Sequence, residues 1–269
     1  MSFVPEPWAG LYFALVGLVV GSFLNVCIHR LPLGQSVVRP RSRCPGCGEG
    51  IRWYQNVPVV SWLALRGRCA NCAERIALRY PFVELLSGAV VFGAWSLYGF
   101  APAFPISAVF ALAMIVLFFT DYDHQLLPDA ITLTGLVAGL AVAWFNPFLR
   151  GVGWESVWSA VSGAGLGAGL LWGFGAAYEK IRGVEAMGLG DVKMMAMVGA
   201  FTGPVGVLFT IFGGSVVGAF FGLAMIPLRG RSLQDTLPFG CFLAPAALLA
   251  LFFAREVAEF YLGLVIPSR

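Results

Sequence analysis

Charge is what this sequence has little of. Only 12% of its 269 residues are Asp, Glu, Lys or Arg, against roughly 25% in a soluble globular domain. With 59% hydrophobic residues, 23 of them Phe, that scarcity excludes a disordered chain, which needs high charge and few apolar side chains. It also excludes one soluble domain, because a fold of this length cannot hide so much hydrocarbon. Histidine is nearly absent, at two residues, so no ligand-spaced histidine pair is available for a metal. No basic run is interleaved with aromatics, which excludes a nucleic-acid stacking surface. Met1 to Gly10 contains no Lys or Arg, whereas a cleaved signal opens on a basic region. The first apolar run is therefore expected to be a retained helix. Lipid is the solvent for most of this chain, and the fold class is an all-α polytopic membrane protein.

A hydrocarbon core of about 30 Å needs roughly 20 apolar residues per helix. Eight candidate spans emerge, near 8–28, 81–99, 103–120, 128–146, 155–178, 190–202, 203–227 and 238–264. Nine arginines, Arg30 through Arg79, lie between the first two. With Lys180, Arg182, Lys193, Arg229 and Arg231, 14 of the 17 basic residues fall on one side. The positive-inside bias makes that side cytoplasmic and both termini external. The expected organisation is a first transmembrane helix (1–28), a cytoplasmic insertion (29–80) and a helical bundle (81–269). The net charge of +3 reports topology rather than a nucleic-acid partner.

Glycines recur at four-residue spacing: Gly17 and Gly21, Gly135 and Gly139, then Gly214, Gly218 and Gly222. On helices these read as close-packing faces. The run from Gly163 to Ala168 satisfies a dinucleotide pattern, but it sits mid-span with no preceding strand, so packing is the reading there too.

Cys44-Pro45-Gly46-Cys47 and Cys69-Ala70-Asn71-Cys72 form two C-x-x-C knuckles with 21 residues between them. Each presents two thiolates from a tight turn, and together they complete a tetrahedral four-sulfur site. Cytoplasmic disulfides are rare, so a metal is favoured over a cross-link. Zinc is the natural ion, with iron in a rubredoxin-like site as the alternative. Four protein ligands leave no open position, so the site is structural, a staple for a loop with few large apolar side chains. Cys27 and Cys241 lie in or near apolar spans and are expected simply to pack.

Acids at the ends of spans are costly and point to function. One cluster runs from Asp121-Tyr122-Asp123-His124 to Leu127-Pro128-Asp129; the other is Met187-Gly188-Leu189-Gly190-Asp191-Val192-Lys193. The topology puts both on one membrane face. Two carboxylates meeting there can hold a water and split their titrations into an acid and a base. Gly188 and Gly190 allow close substrate approach. Read in isolation, Asp191 is more often a helix cap, Asp129 a cap after Pro128, and Asp123 a solvated turn residue. The helix dipole at Asp191 favours its carboxylate, which points to Asp191 as base and Asp121 as acid; the reverse stays open.

In order along nearly the whole chain, these segments resemble the bacterial type IV prepilin peptidases, bifunctional enzymes of the G-x-G-D aspartic protease class. The resemblance runs through Gly21 to Val26, His29 to Pro32, the two knuckles, Arg79 to Glu84, Asp121 to Asp129, Gly188 to Lys193, and Pro238-Phe239-Gly240. It implies an inner-membrane enzyme that cuts leader peptides from prepilins and pseudopilins after a Gly. It then methylates the new N-terminal residue, usually Phe, with S-adenosylmethionine. The family's catalytic pair falls on Asp121 and Asp191, and a position linked to methyl transfer falls on Gly67. Two readings compete: a peptidase without methyltransferase activity, and a zinc-stabilised transporter. The transporter leaves unexplained why the acids gather at one face rather than at the midplane.

Overall fold

The computed structural model describes residues 7–183, 188–229 and 238–265. Met187, Arg231 and the chain ends, which bear on the motif and the orientation, lie outside them. The described chain is helical, as expected: α1 (Pro7–Arg30), a short α2 (Val60–Ala64), α3 (Arg79–Tyr98), α4 (Ala103–His124), α5 (Asp129–Val142), α6 (Trp154–Arg182), α7 (Leu189–Arg229) and α8 (Gly240–Val265). The only strand-like pairings among the described residues are two isolated bridges, in the loop between α1 and α3.

Six of these helices (α1, α3, α4, α6, α7 and α8) are long and apolar enough to cross a bilayer. The count of eight is not confirmed, for two reasons. The span expected at 128–146 is a shorter apolar helix, Asp129–Phe145, in which a 3-10 turn over Ala143–Phe145 replaces the last α-helical turn. The spans expected at 190–202 and 203–227 join in the 41-residue α7, which is interrupted at Gly203 (φ 69, ψ −174). That conformation is essentially closed to residues with a Cβ, and Pro204 next to it removes a helical N–H donor. The buried Asn146 side chain donates to the Phe201 carbonyl (3.0 Å) beside the break.

The chain divides into two compact units, residues 1–116 and 117–269. In the first, α1 and α3 approach closely. A Cβ added at Gly17 would lie 2.8 Å from the Ser87 carbonyl oxygen, and one at Gly21 would lie 2.8 Å from the Glu84 Cα. Phe13, Phe100 and Phe104 pack around the buried Trp95, with ring centroids 4.5 to 5.6 Å from it. In the second unit α7 is the central element, packing on α5, α6 and α8. Gly163 and Gly167 of the dinucleotide-like run press directly onto the α7 backbone, so that run is a packing face. Gly139 meets Ala200 and Phe201, and Gly214 meets Leu243. Without a hydrophobic drive between helices in lipid, such backbone contact is what holds a bundle together.

Candidate active site and metal centre

Asp121 lies in the last turn of α4 and is buried, with 5% of its surface exposed. Its Oδ2 accepts the Cys241 backbone N–H at 2.8 Å, a donor from the first turn of α8. Gly240 makes this contact possible, since a Cβ there would lie 2.9 Å from Oδ2 and 3.0 Å from Cγ. The Cys241 thiol donates to the Phe118 carbonyl one turn earlier on α4 (3.3 Å). Cys241, expected only to pack, is thus part of the Asp121 environment through its main chain. Cys27 does pack, at 5% exposure.

The turn after α4 reverses at Gln125 (φ 50), whose N–H returns to the Asp121 carbonyl at 2.8 Å. It drives Leu127 inward, leaving that residue 7% exposed. Leu127 meets two glycines. A Cβ on Gly190 would be 3.1 Å from the Leu127 Cβ, and one on Gly240 would be 3.2 Å from its Cδ2. Leu127 is therefore the apolar spacer that sets α7 and α8 beside the α4–α5 turn.

Asp191 sits in the first turn of α7, its N–H bonded to the Gly188 carbonyl at 3.1 Å. Its Oδ1 is buried and has no hydrogen-bond partner among the described residues. Leu127 of the first acidic motif packs on Gly190 of the second, so the fold brings the two motifs together. Lys193 ties them further, placing Nζ 2.7 Å and 2.8 Å from the two Asp129 carboxylate oxygens. Asp129 is therefore an ion-pair partner and not the cap of α5; the cap position is Pro128, with no side-chain hydrogen bond. Asp123 and His124 are exposed on the same turn. Of the two supporting glycines, Gly190 fits Leu127, while a Cβ on Gly188 would meet only the Gly190 nitrogen, at 3.9 Å, among the described residues.

The four knuckle cysteines converge in the first unit, with all four sulfurs within 4.8 Å of one another. The knuckles repeat one geometry. Cys44 N–H bonds the Glu49 carbonyl and Cys69 N–H the Glu74 carbonyl, at 2.9 and 2.8 Å, and each turn closes through a left-handed residue, Gly48 or Ala73. Sulfurs around a tetrahedral ion with bonds of about 2.3 Å would stand about 3.8 Å apart; Cys44 and Cys72 are 3.7 Å apart. Backbone N–H groups of Cys72 and Asn71 pull the Cys69 thiol down to about 6, and the Glu49 N–H with the Asn71 side chain lowers Cys47. Desolvation and hydrogen bonds to the neighbouring cysteines push Cys72 up to about 12, and a metal-ligating sulfur must be a thiolate; it is the convergence of the four sulfurs that suits a metal ion. Gly67 (φ 65) precedes the second knuckle and lies against the Trp62 ring; a Cβ there would be 2.7 Å from Cζ2.

Residues 15–98 match the bacterial peptidase A24 N-terminal domain, and residues 108–223 match the type IV leader peptidase family. A relative from Stutzerimonas stutzeri is 37% identical over 96% of this chain and 95% of its own length. One from Pseudomonas aeruginosa is 38% identical over 92% and 91%. Both are named prepilin leader peptidase/N-methyltransferase, as is one from Myxococcus xanthus, 39% identical over 84% of this chain and 66% of that longer protein.

The chain belongs to the type IV leader peptidase family.

No solved structure matches it. The leader-peptidase match spans both aspartates and the N-terminal match spans the four cysteines and Gly67. Gly240 and Cys241, the pair that holds Asp121, lie beyond both. Only the Pro238-Phe239-Gly240 motif signals them in the sequence, and nothing in its spacing says that its target is Asp121.

Proposed function

We propose that this chain is an inner-membrane aspartic endopeptidase that removes the leader of type IV prepilins and pseudopilins after Gly. It then methylates the new amino terminus with S-adenosylmethionine. The observation that carries the peptidase reading is the meeting of the two acidic motifs, one carrying the buried Asp121 and the other the half-buried Asp191. Asp121 and Asp191 are the catalytic pair, and Gly188 and Gly190 support the active site.

In hydrolysis one carboxylate takes a proton from the attacking water while the other gives its proton to the scissile amide. A hydrogen bond from a backbone N–H stabilises the charged form of a carboxylate, and Asp121 has one from Cys241. The Asp191 Oδ1 has none among the described residues. Asp121 is therefore the base that activates water, and Asp191 the acid. This reverses the assignment drawn from the α7 dipole, because a direct 2.8 Å donor outweighs a diffuse terminal field that fades within the first turn.

Cys44, Cys47, Cys69 and Cys72 hold a structural zinc; it supplies no chemistry to either reaction and fixes the loop. The organisation 1–28, 29–80 and 81–269, with the site and the cysteine loop cytoplasmic and both termini outside, follows from the distribution of arginines. A substrate that is itself a membrane segment presents its scissile bond at that boundary. Incubating purified protein with a Gly-Phe prepilin and methyl-labelled donor tests the reading: one cut and label on the product amine are expected. Cleavage without label would leave a peptidase alone, and neither reaction would contradict the proposal.

A further inference from the structure

The first unit contains a cavity of about 530 Å³ between the C-terminal half of α1, the first turns of α3 and the cysteine loop. That volume lies within the range of about 300–1,000 Å³ usual for small-ligand sites. None of the peptidase groups lines it. Its walls carry three kinds of recognition chemistry: an acid, Glu84; aromatic faces, Trp62 and Tyr80; and bases, Arg30 and Arg75.

The acid and the aromatic residues are held in place. Glu84 is 8% exposed although it is a carboxylate, and its Oε2 accepts the Val59 N–H at 2.8 Å. Val59 has φ 61, a left-handed conformation that a β-branched residue adopts only under strain. Strain of this kind persists where surrounding structure enforces it, and it gathers at ligand sites. Trp62 is fixed by donation from its indole N–H to the Ile76 carbonyl at 3.1 Å. The Asn25 side chain donates to the Tyr80 carbonyl at 3.1 Å, joining α1 to the first turn of α3 in the cavity wall.

We propose that this cavity is the methyl-donor site, taking a sulfonium ligand that carries a flat base and an amino-acid carboxylate. The proposal rests on the methyltransferase reading above. Aromatic faces with a buried acid suit a fixed cation, and arginines suit the carboxylate. Gly67 does not line the cavity; it acts through Trp62, whose ring a larger side chain would displace. In the transfer, the lone pair of the neutral terminal amine attacks the methyl carbon. The carbon–sulfur bond breaks with its electrons going to sulfur, leaving a thioether, and the new ammonium releases a proton to solvent.

The test uses the full chain in detergent with S-adenosylhomocysteine as probe, read by calorimetry, and methyl-tritiated S-adenosylmethionine for photolabelling. Trp62→Ala should weaken probe binding by about tenfold or more, the scale of a desolvated cation–aromatic contact, while its zinc content and prepilin cleavage stay at wild-type levels. Trp62→Phe should recover most of the binding, and photolabel should fall within residues 22–84. Should Trp62→Ala lose its zinc, Glu84→Gln is read in its place, with the same expected loss of affinity. Unchanged probe affinity in a folded variant, with wild-type methylation intact, would overturn the site and leave the methyltransferase reading standing. A wild-type chain that cleaves but neither binds the probe nor methylates would overturn both.

Discussion

At Asp121 the decisive contact is made by a group with no side chain. Gly240 brings the Cys241 N–H within 2.8 Å of Oδ2, and a methyl group at position 240 would stand 2.9 Å from the same oxygen. Gly240→Ala must therefore move either the carboxylate or the start of α8. A displacement of that size costs about 10- to 100-fold in rate when it falls on a catalytic group. We expect cleavage to drop by about that factor and its pH optimum to shift, while zinc content and methylation of a pre-cut pilin are unaltered. Assays of the three properties side by side check this; unaltered cleavage would mean that the α8 amide does not position Asp121.

Two elements carry strain or covalent order that their sequences advertise unequally. The break in α7 depends on Gly203, whose φ of 69 belongs to a region costing other residues about 1–3 kcal/mol. Gly203→Ala should lower the thermal stability of the detergent-solubilised protein by about that amount, a scanning unfolding measurement. The knuckles are the other case. Purified protein should carry one zinc per chain, and Cys44→Ser or Cys72→Ser should lose it together with loop order, by elemental analysis and limited proteolysis. Metal-free protein with full activity would contradict a required zinc.

The C-x-x-C spacing makes the four-cysteine cluster legible in the sequence, because four thiols at fixed turns admit few other arrangements. The helices are legible from apolar length alone. Their count is not, since Thr202-Gly203-Pro204 is as good a loop as it is a kink, and only packing against α6 and α8 decides. Leu127 and Cys241 are invisible as site residues, because a buried leucine and a backbone N–H leave no chemical signature in a sequence.

At the scale of the whole molecule, the proposed activities fall in different compact units: the aspartates in residues 117–269, and the cysteines, Gly67 and the cavity in residues 1–116. The amine exists only after cleavage, so cutting precedes methylation. Gly67→Leu should impair methyl transfer far more than cleavage, since its Cβ would meet the Trp62 ring at 2.7 Å. Asp191→Asn should block cleavage and still methylate a supplied, pre-cut pilin. Equal loss of both reactions in a zinc-loaded Gly67→Leu protein would contradict separate sites. The peptidase claim itself meets its most direct test in prepilin cleavage by Asp121→Asn, Asp191→Asn and the double variant, each confirmed folded in the membrane by its retained zinc. Members of one catalytic unit are non-additive, so each single variant should abolish processing and the double variant should be scarcely worse. Substantial processing by either folded single variant would contradict it.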